Sequence, residues 1–222
     1  MKSKVRIPLP LIILLTVVVG AYYILFVKVY LSESIEGRVV DEATGKSIPN
    51  AVVVARWQLR GMENFPSSHV WISETKTNED GYFKIDEWGP VRVWRMGLLR
   101  SGEPYMHVLK AGYIPKTIWH ICGRCEYDHP VGQPMRYAAW DELVIDPERH
   151  DEIEDDEIYR ILREKTFELI DALRNDSCAA ESIPMALNEL ISLTKVVKDD
   201  ENRDELNGLI MNSIGRTNCK IE

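Results

Sequence analysis

The residue types best suited to chemistry in this 222-residue chain stand in one run, His120-Ile121-Cys122-Gly123-Arg124-Cys125-Glu126-Tyr127-Asp128-His129. Two thiols three apart, flanked by two imidazoles, are the ligand types of a tetrahedral zinc or copper site. Thiolate and neutral imidazole are soft-to-borderline donors, and the two-residue gap lets both sulfurs point at one ion. His120, Cys122, Cys125 and His129 are therefore candidate metal ligands. The competing reading of the run is a Cys122–Cys125 disulfide that clips a loop. Haem attachment needs His directly after the second Cys, where Glu126 stands. A thioredoxin-like redox pair needs a following helix, which Pro130 and Gly132 oppose.

Two more cysteines, Cys178 and Cys219, complete an even count of four, compatible with two disulfides in an oxidising compartment. A Cys178–Cys219 bridge would close a loop of roughly 40 residues and contribute about 3–4 kcal/mol by chain entropy. The pairing among the four stays open.

Other constellations fall short of a site. Gly45-Lys46-Ser47 echoes a phosphate loop, but Val40 stands where the first glycine belongs, and Ile48-Pro49 follows in place of a helix. No Gly-x-Ser-x-Gly or His-Glu-x-x-His occurs. The acidic run Asp151–Glu157 lacks the order of a calcium loop and suits a helix start, where the dipole favours carboxylates. Trp57, Trp71, Trp88, Trp94, Trp119 and Trp140 are scattered, which fits core packing better than a sugar platform. No catalytic set emerges, and no enzymatic activity is expected. The net charge of -8 and the absence of a dense basic cluster beyond the N-terminus exclude a general nucleic-acid binder.

The elements that must carry these residues begin with residues 7–27, IPLPLIILLTVVVGAYYILFV, which hold no charge. At about 1.5 Å per residue the run spans roughly 30 Å, the thickness of a hydrocarbon core. Lys2, Lys4 and Arg6 precede it, and Tyr22, Tyr23 and Tyr30 lie towards its far end. The expectation is an uncleaved signal-anchor in the lipid bilayer. The N-terminus would be cytoplasmic and the bulk extracytoplasmic, in the periplasm or outside the cell. A cleaved signal peptide, cut near Gly20-Ala21, is the rival.

After the anchor, short alternating segments take over. Ile35, Gly37 and Val39 fall on one strand face, with Glu36 and Arg38 on the other. Asn50–Leu59 reads as a buried strand with Ala51, Val53 and Ala55 on one side. Val70–Thr77 is another. Asn78-Glu79-Asp80-Gly81 is a hairpin signal leading to Tyr82–Ile85. Further strands are expected at 105–110 and 115–120. Strands at this spacing argue for a sandwich.

Three pieces carry a family resemblance. The opening Ile35-x-Gly37-x-Val39-x-Asp41, with Thr44-Gly45-x-x-Ile48-Pro49-x-Ala51-x-Val53, is similar to the start of carboxypeptidase regulatory-like domains. Thr77-Asn78-Glu79-Asp80-Gly81-Tyr82-Phe83-x-Ile85 resembles the family's next hairpin, and Lys110-Ala111-Gly112-Tyr113 its late Gly-Tyr signature. The resemblance covers about residues 34–120. It implies a transthyretin-like, seven-stranded β-sandwich with accessory work and no catalytic residues. Transthyretin-like hydrolases end in Tyr-Arg-Gly-Ser, whereas this chain ends Asn218-Cys219-Lys220-Ile221-Glu222. The stretch 86–103 is longer than the family's usual link, and is expected to form an extra loop or short helix over a sandwich edge.

From about Glu152 the apolar period turns helical. Ile158, Ile161, Leu162, Leu169, Ile170 and Leu173 mark a first helix. Pro184, Leu187, Leu190, Ile191 and Val197 mark a second, and Leu206, Leu209, Ile210 and Ile214 a third. The expected fold is mainly β. It comprises a membrane anchor (1–33), the sandwich (34–120), a Cys/His-containing and acidic connector (121–151) and a helical tail (152–222). The expected function is that of a membrane-anchored accessory or interaction protein, whose partner is another exported or membrane protein. The alternative is a metal- or carbohydrate-binding module.

Overall fold

A computed structural model describes residues 8–26, 28–60, 68–93, 98–99, 104–119, 143–145, 147–149, 153–174 and 182–214. Leu9–Phe26 form helix α1. The Pro8 carbonyl accepts the Leu11 N–H at 2.9 Å, so proline sits at the entrance, where its missing donor is harmless. The chain then turns extended. Strand β1 (Lys28–Ser32) pairs antiparallel with β6 (Trp88–Val93), from Lys28↔Val93 to Ser32↔Trp88.

This early turn corrects the expected anchor over residues 7–27. The helix has 18 residues, about 27 Å at the α-helical rise, against the roughly 20 residues that a hydrocarbon core requires. Lys28, next to the expected segment, is already committed to a strand. Among the described residues no helix is long and apolar enough to cross a membrane. The single-pass membrane localisation is therefore not supported, and the extracytoplasmic placement inferred from it loses its premise.

Two larger sheets follow. The first has the order β10-β2-β5, with β2 (Ile35–Val39) between antiparallel β5 (Tyr82–Ile85) and parallel β10 (Leu143–Ile145). The second runs β4-β3-β8-β9, all antiparallel. Its strands are β3 (Val52–Arg60), β4 (Ser68–Lys76), β8 (Tyr105–Leu109) and β9 (Lys116–Trp119). The short β7 (Leu98–Leu99) adds to the far end of β3.

Strand β3 organises the molecule. Successive side chains of a strand point to opposite faces. Val53, Ala55 and Trp57, with Ala51 just before the strand, join Ile35, Val39, Phe83, Ile85 and Ile145 in a core between the two sheets. Val52 and Val54 point the other way, where with Leu109 they meet the helices. A strand buried on both faces must read as an unbroken apolar run, and 51–55 is one.

The helices are α2 (Asp155–Arg174), α3 (Pro184–Thr194) and α4 (Asp200–Ile214). Ile158, Leu162, Leu169 and Ile170 of α2 share one core with Leu187, Leu190 and Leu193 of α3 and Leu206 and Ile210 of α4. Asp155, Asp156 and Glu157 fill the first turn of α2, as its dipole favours, and Asp155 also meets Lys198 at 3.2 Å. On the surface, Glu205 ties α4 to α2, accepting from Tyr159 at 2.7 Å and Arg163 at 3.0 Å.

The expected fold class is also corrected. Among the described residues the fold is mixed α/β, with 39% helix and 34% strand, in three small sheets that close into no barrel, and it is not clearly a seven-stranded sandwich after a spanning helix. The physical reason is the second face of β3. Its apolar side chains need a cover, and the helical tail supplies it as a layer of the fold. In the stretch 86–103, 88–93 and 98–99 are strands rather than a loop or helix, and the acidic connector contributes β10.

Candidate functional site

The candidate metal ligands His120, Cys122, Cys125 and His129 lie outside the described residues. Among the described residues no group of three or more His, Cys, Asp or Glu could hold a metal ion. Cys178 and Cys219 also lie outside them. All four cysteines thus lie outside the described residues, and the described structure gives the expected disulfides no support. Of the tryptophans, Trp57 and Trp88 are buried and meet edge to face at 5.1 Å, while exposed Trp71 stacks on Trp88 at 5.6 Å. Trp94 and Trp140 are outside the described residues.

What the structure does bring together is the set of residues that carry the resemblance. Asp41, buried two residues past the end of β2, is the hub. Its Oδ1 accepts the Thr44 N–H at 2.8 Å and the Thr44 hydroxyl at 2.7 Å. Its Oδ2 accepts the Tyr113 hydroxyl at 3.0 Å and Arg149 Nε at 2.6 Å. The Arg149 guanidinium, then the Thr44 hydroxyl, hold the Asp41 carboxyl well below the usual carboxylate range. Gly81 packs its bare Cα against the Val39 carbonyl, where an added Cβ would come within 2.5 Å. The opening, the hairpin and the Gly-Tyr piece thus meet around the 39–48 turn, and their polar groups are spent on holding one another.

A second carboxylate docks the helical layer. Pro184 starts α3, and the preceding Ile183 has no side chain able to cap it. Glu74 of β4 does so from outside, accepting the Met185 and Ala186 N–H groups at 2.8 Å each. Burial raises the Glu74 pKa, against these two backbone bonds. Glu189 of α3 returns the contact, accepting the Ala111 N–H at 2.6 Å.

A third cluster lies between the five-stranded sheet and α2. His107 pairs with Val54 in register and is buried on the helix-facing side. Thr117 donates its hydroxyl proton to Glu168 Oε2 at 3.2 Å. Its oxygen is therefore the acceptor for His107 Nδ1–H, 3.2 Å away, which fixes the tautomer. Arg56 Nη1 reaches the Glu168 carbonyl at 3.3 Å, and its guanidinium lies over Tyr105 at 5.2 Å. Lys165 Nζ lies 3.2 Å from both Glu168 oxygens. Burial, then the charges of Arg56 and Lys165, push the His107 pKa down to about 3, so the imidazole stays neutral. His107 has the residue type of a base, yet it is sealed from solvent.

The sequence reading singled out Asp41 and Tyr113 only as parts of the resemblance, and passed over Arg149, Glu74 and His107. Their partners are 108, 111 and 10 residues away, and only the last is near enough for a local pattern to reveal.

A small apolar cleft, about 10 Å³, lies between Tyr113, Ile114 and Pro115 and the helix residues Ile158, Leu162 and Leu193. The large apolar surface is elsewhere, on α1. Leu9, Leu11, Ile12, Ile13, Leu14, Leu15, Val17, Val18 and Val19 are each 45 to 68% exposed.

No family model matches the chain, and no curated protein matches it. Among solved structures it is similar to a 9R-lipoxygenase from Cyanothece, with 11% identity and a TM-score of 0.27 over 87% of this chain. The chain spans 28% of that structure's length, and a likeness of this degree assigns neither fold nor activity.

Proposed function

We propose that this chain is an accessory protein that works by binding another protein, built on a domain resembling the carboxypeptidase regulatory-like family. The observation that carries the reading is the exposed apolar surface of α1, nine large side chains over eleven residues. A patch of that extent costs the chain hydration free energy until something covers it, and such patches mark interaction sites. The polar clusters support the same reading. Asp41 and Glu74 spend both oxygens, and Glu189 one, on partners within the fold, as scaffold residues do.

The test is photocrosslinking in cells with full-length chains carrying a photoreactive residue at Ile13 or at Val17. The expected result is the same protein adduct from both positions. Adducts of lipid alone, or none that recur, would overturn the proposal.

A further inference from the structure

Among the described residues, strand β4 ends the order of its sheet, and its register with β3 slips once. Trp57 pairs with Trp71 and Gln58 with His69, so Val70 is the extra residue of a bulge. A bulge re-aims the side chains beside it. Val70 packs on the core between the sheets, and Trp71 is set over Trp88 of β6. The two indoles are 13° from parallel, with centroids 5.6 Å apart. Trp88 is held in turn by buried Trp57, which meets it at 73°. One face of Trp71 thus rests on a backing that reaches into the core.

The rest of the ring stays open. Trp71 is 41% exposed, about 100 Å² if the whole side chain offers about 250 Å². Its ring N–H donates to no acceptor among the described residues. Among the described side chains of β4 it is the one large apolar group that is exposed.

These features select among ligands. A protein interface surrounds its aromatic anchors with further apolar contacts and buries about 800 Å² on each partner, whereas Trp71 stands alone on its strand. A nucleobase brings phosphate, which a chain of net charge -8 repels. A pyranose ring has C–H groups across one face, to lie on an indole, and hydroxyl oxygens at its edge that accept an N–H. A ring already fixed by its backing also loses little freedom on binding.

We propose that Trp71 is the stacking platform of a binding site for a neutral sugar. It takes one pyranose ring on its open face and donates its N–H to an oxygen at the edge of that ring. The site is independent of α1 and of the partner that α1 binds.

The test titrates the full chain with maltotetraose, cellotetraose, chitotetraose and mannotetraose, following the indole N–H and backbone amide signals by NMR. The Trp71 indole signal is the one that Trp71→Phe removes. The expected result is that at least one sugar shifts it, with a Kd of about 1 mM, as suits a single stacked ring. Trp71→Phe keeps a ring and loses the donor, so binding read from the amide shifts should weaken about threefold, and Trp71→Ala should weaken it by about tenfold or more. A Trp71 signal unmoved by all four sugars would overturn the proposal, as would binding that survives Trp71→Ala. A signal moved by decaproline and by none of the sugars would also overturn it, since the platform would then serve a peptide. Should Trp71→Ala uncover Trp88 and fail to fold, the parent's Trp71 signal and Trp71→Phe decide, and a Phe variant that binds as tightly as the parent would overturn the proposal.

Discussion

Replacing Gly81 by alanine puts a single methyl group where two strands meet. Gly81 has φ 78°, a conformation that costs an L-residue about 1–2 kcal/mol. The added Cβ would also lie 2.5 Å from the Val39 carbonyl oxygen and 3.2 Å from Ser47 Cβ. The nearer of these is backbone and cannot rotate away. It is held in place because it accepts the Ile48 N–H at 3.0 Å, while the Val39 N–H donates to the Gly81 carbonyl at 2.9 Å. Relief requires β2 and β5 to separate at that end, an overpacking cost of about 1–3 kcal/mol. Gly81→Ala should therefore destabilise the chain by about 2–5 kcal/mol, a large share of the roughly 5–15 kcal/mol typical of a folded domain. Gly45→Ala is the internal control. Its φ is 65°, but no atom lies within 4 Å of the added Cβ, so only the conformational cost of about 1–2 kcal/mol applies. Thermal unfolding measures both. For a chain of this size about 2–4 °C of midpoint follows each kcal/mol, so Gly81→Ala should melt several degrees below Gly45→Ala. Equal losses would refute the contact between the hairpin and the opening strand.

Asp41 is held below its ordinary pKa, so its contribution is complete above about pH 4, the unfolded value, and is lost as pH falls below it. Thermal unfolding from pH 7 to 2 should show Asp41→Asn destabilised at neutral pH, with the gap to the parent closing in acid; a gap constant with pH would contradict the network. Glu74 has the opposite sign: burial raises its pKa, so its ionised form costs the fold, and stability from this group declines as pH rises through the raised value. Glu74→Ala should lose an α3 cap worth about 1 kcal/mol at neutral pH. Glu74→Gln, which keeps an acceptor and removes the buried charge, should lose less by denaturant titration. For His107, with a pKa near 3, the unfolded chain takes up the proton first, from about pH 6.5 downward. Its imidazole signals, assigned by comparison with His107→Leu, should stay those of the neutral ring down to about pH 4; titration near pH 6.5 would show that the ring is open to water.

Local pattern found most of the elements, because each of them is written within a few residues. The alternation in 35–39, the turn glycine at 81 and the apolar spacing from Ile158 to Ile170 needed no distant partner to be read. What pattern could not supply was pairing. Strand β10 is three residues within an acidic segment, and it is a strand only because Val144 meets Arg38, more than 100 positions earlier. Strand β1 is hidden at the end of an apolar run whose composition masks the change from helix to strand, and the expected anchor was lengthened into it. The alternation in 51–55 identified one buried face, with Ala51, Val53 and Ala55. The other face, Val52 and Val54, was legible as apolar, but nothing local said that a helical layer would cover it. The same limit applies to Asp41–Arg149 and Glu74–Met185, whose partners lie 108 and 111 positions apart.

The central claim is that strand β3 carries two cores at once, so that the sheets and the helical layer unfold together. Native-state hydrogen exchange of the full chain under mild denaturant tests it directly. The account predicts that the amides of 52–57 and those of 187–193 share one opening free energy and respond together to denaturant. Helix α3 exchanging at a markedly lower free energy, with 52–57 still protected, would show the helices to be an appendage and would contradict it.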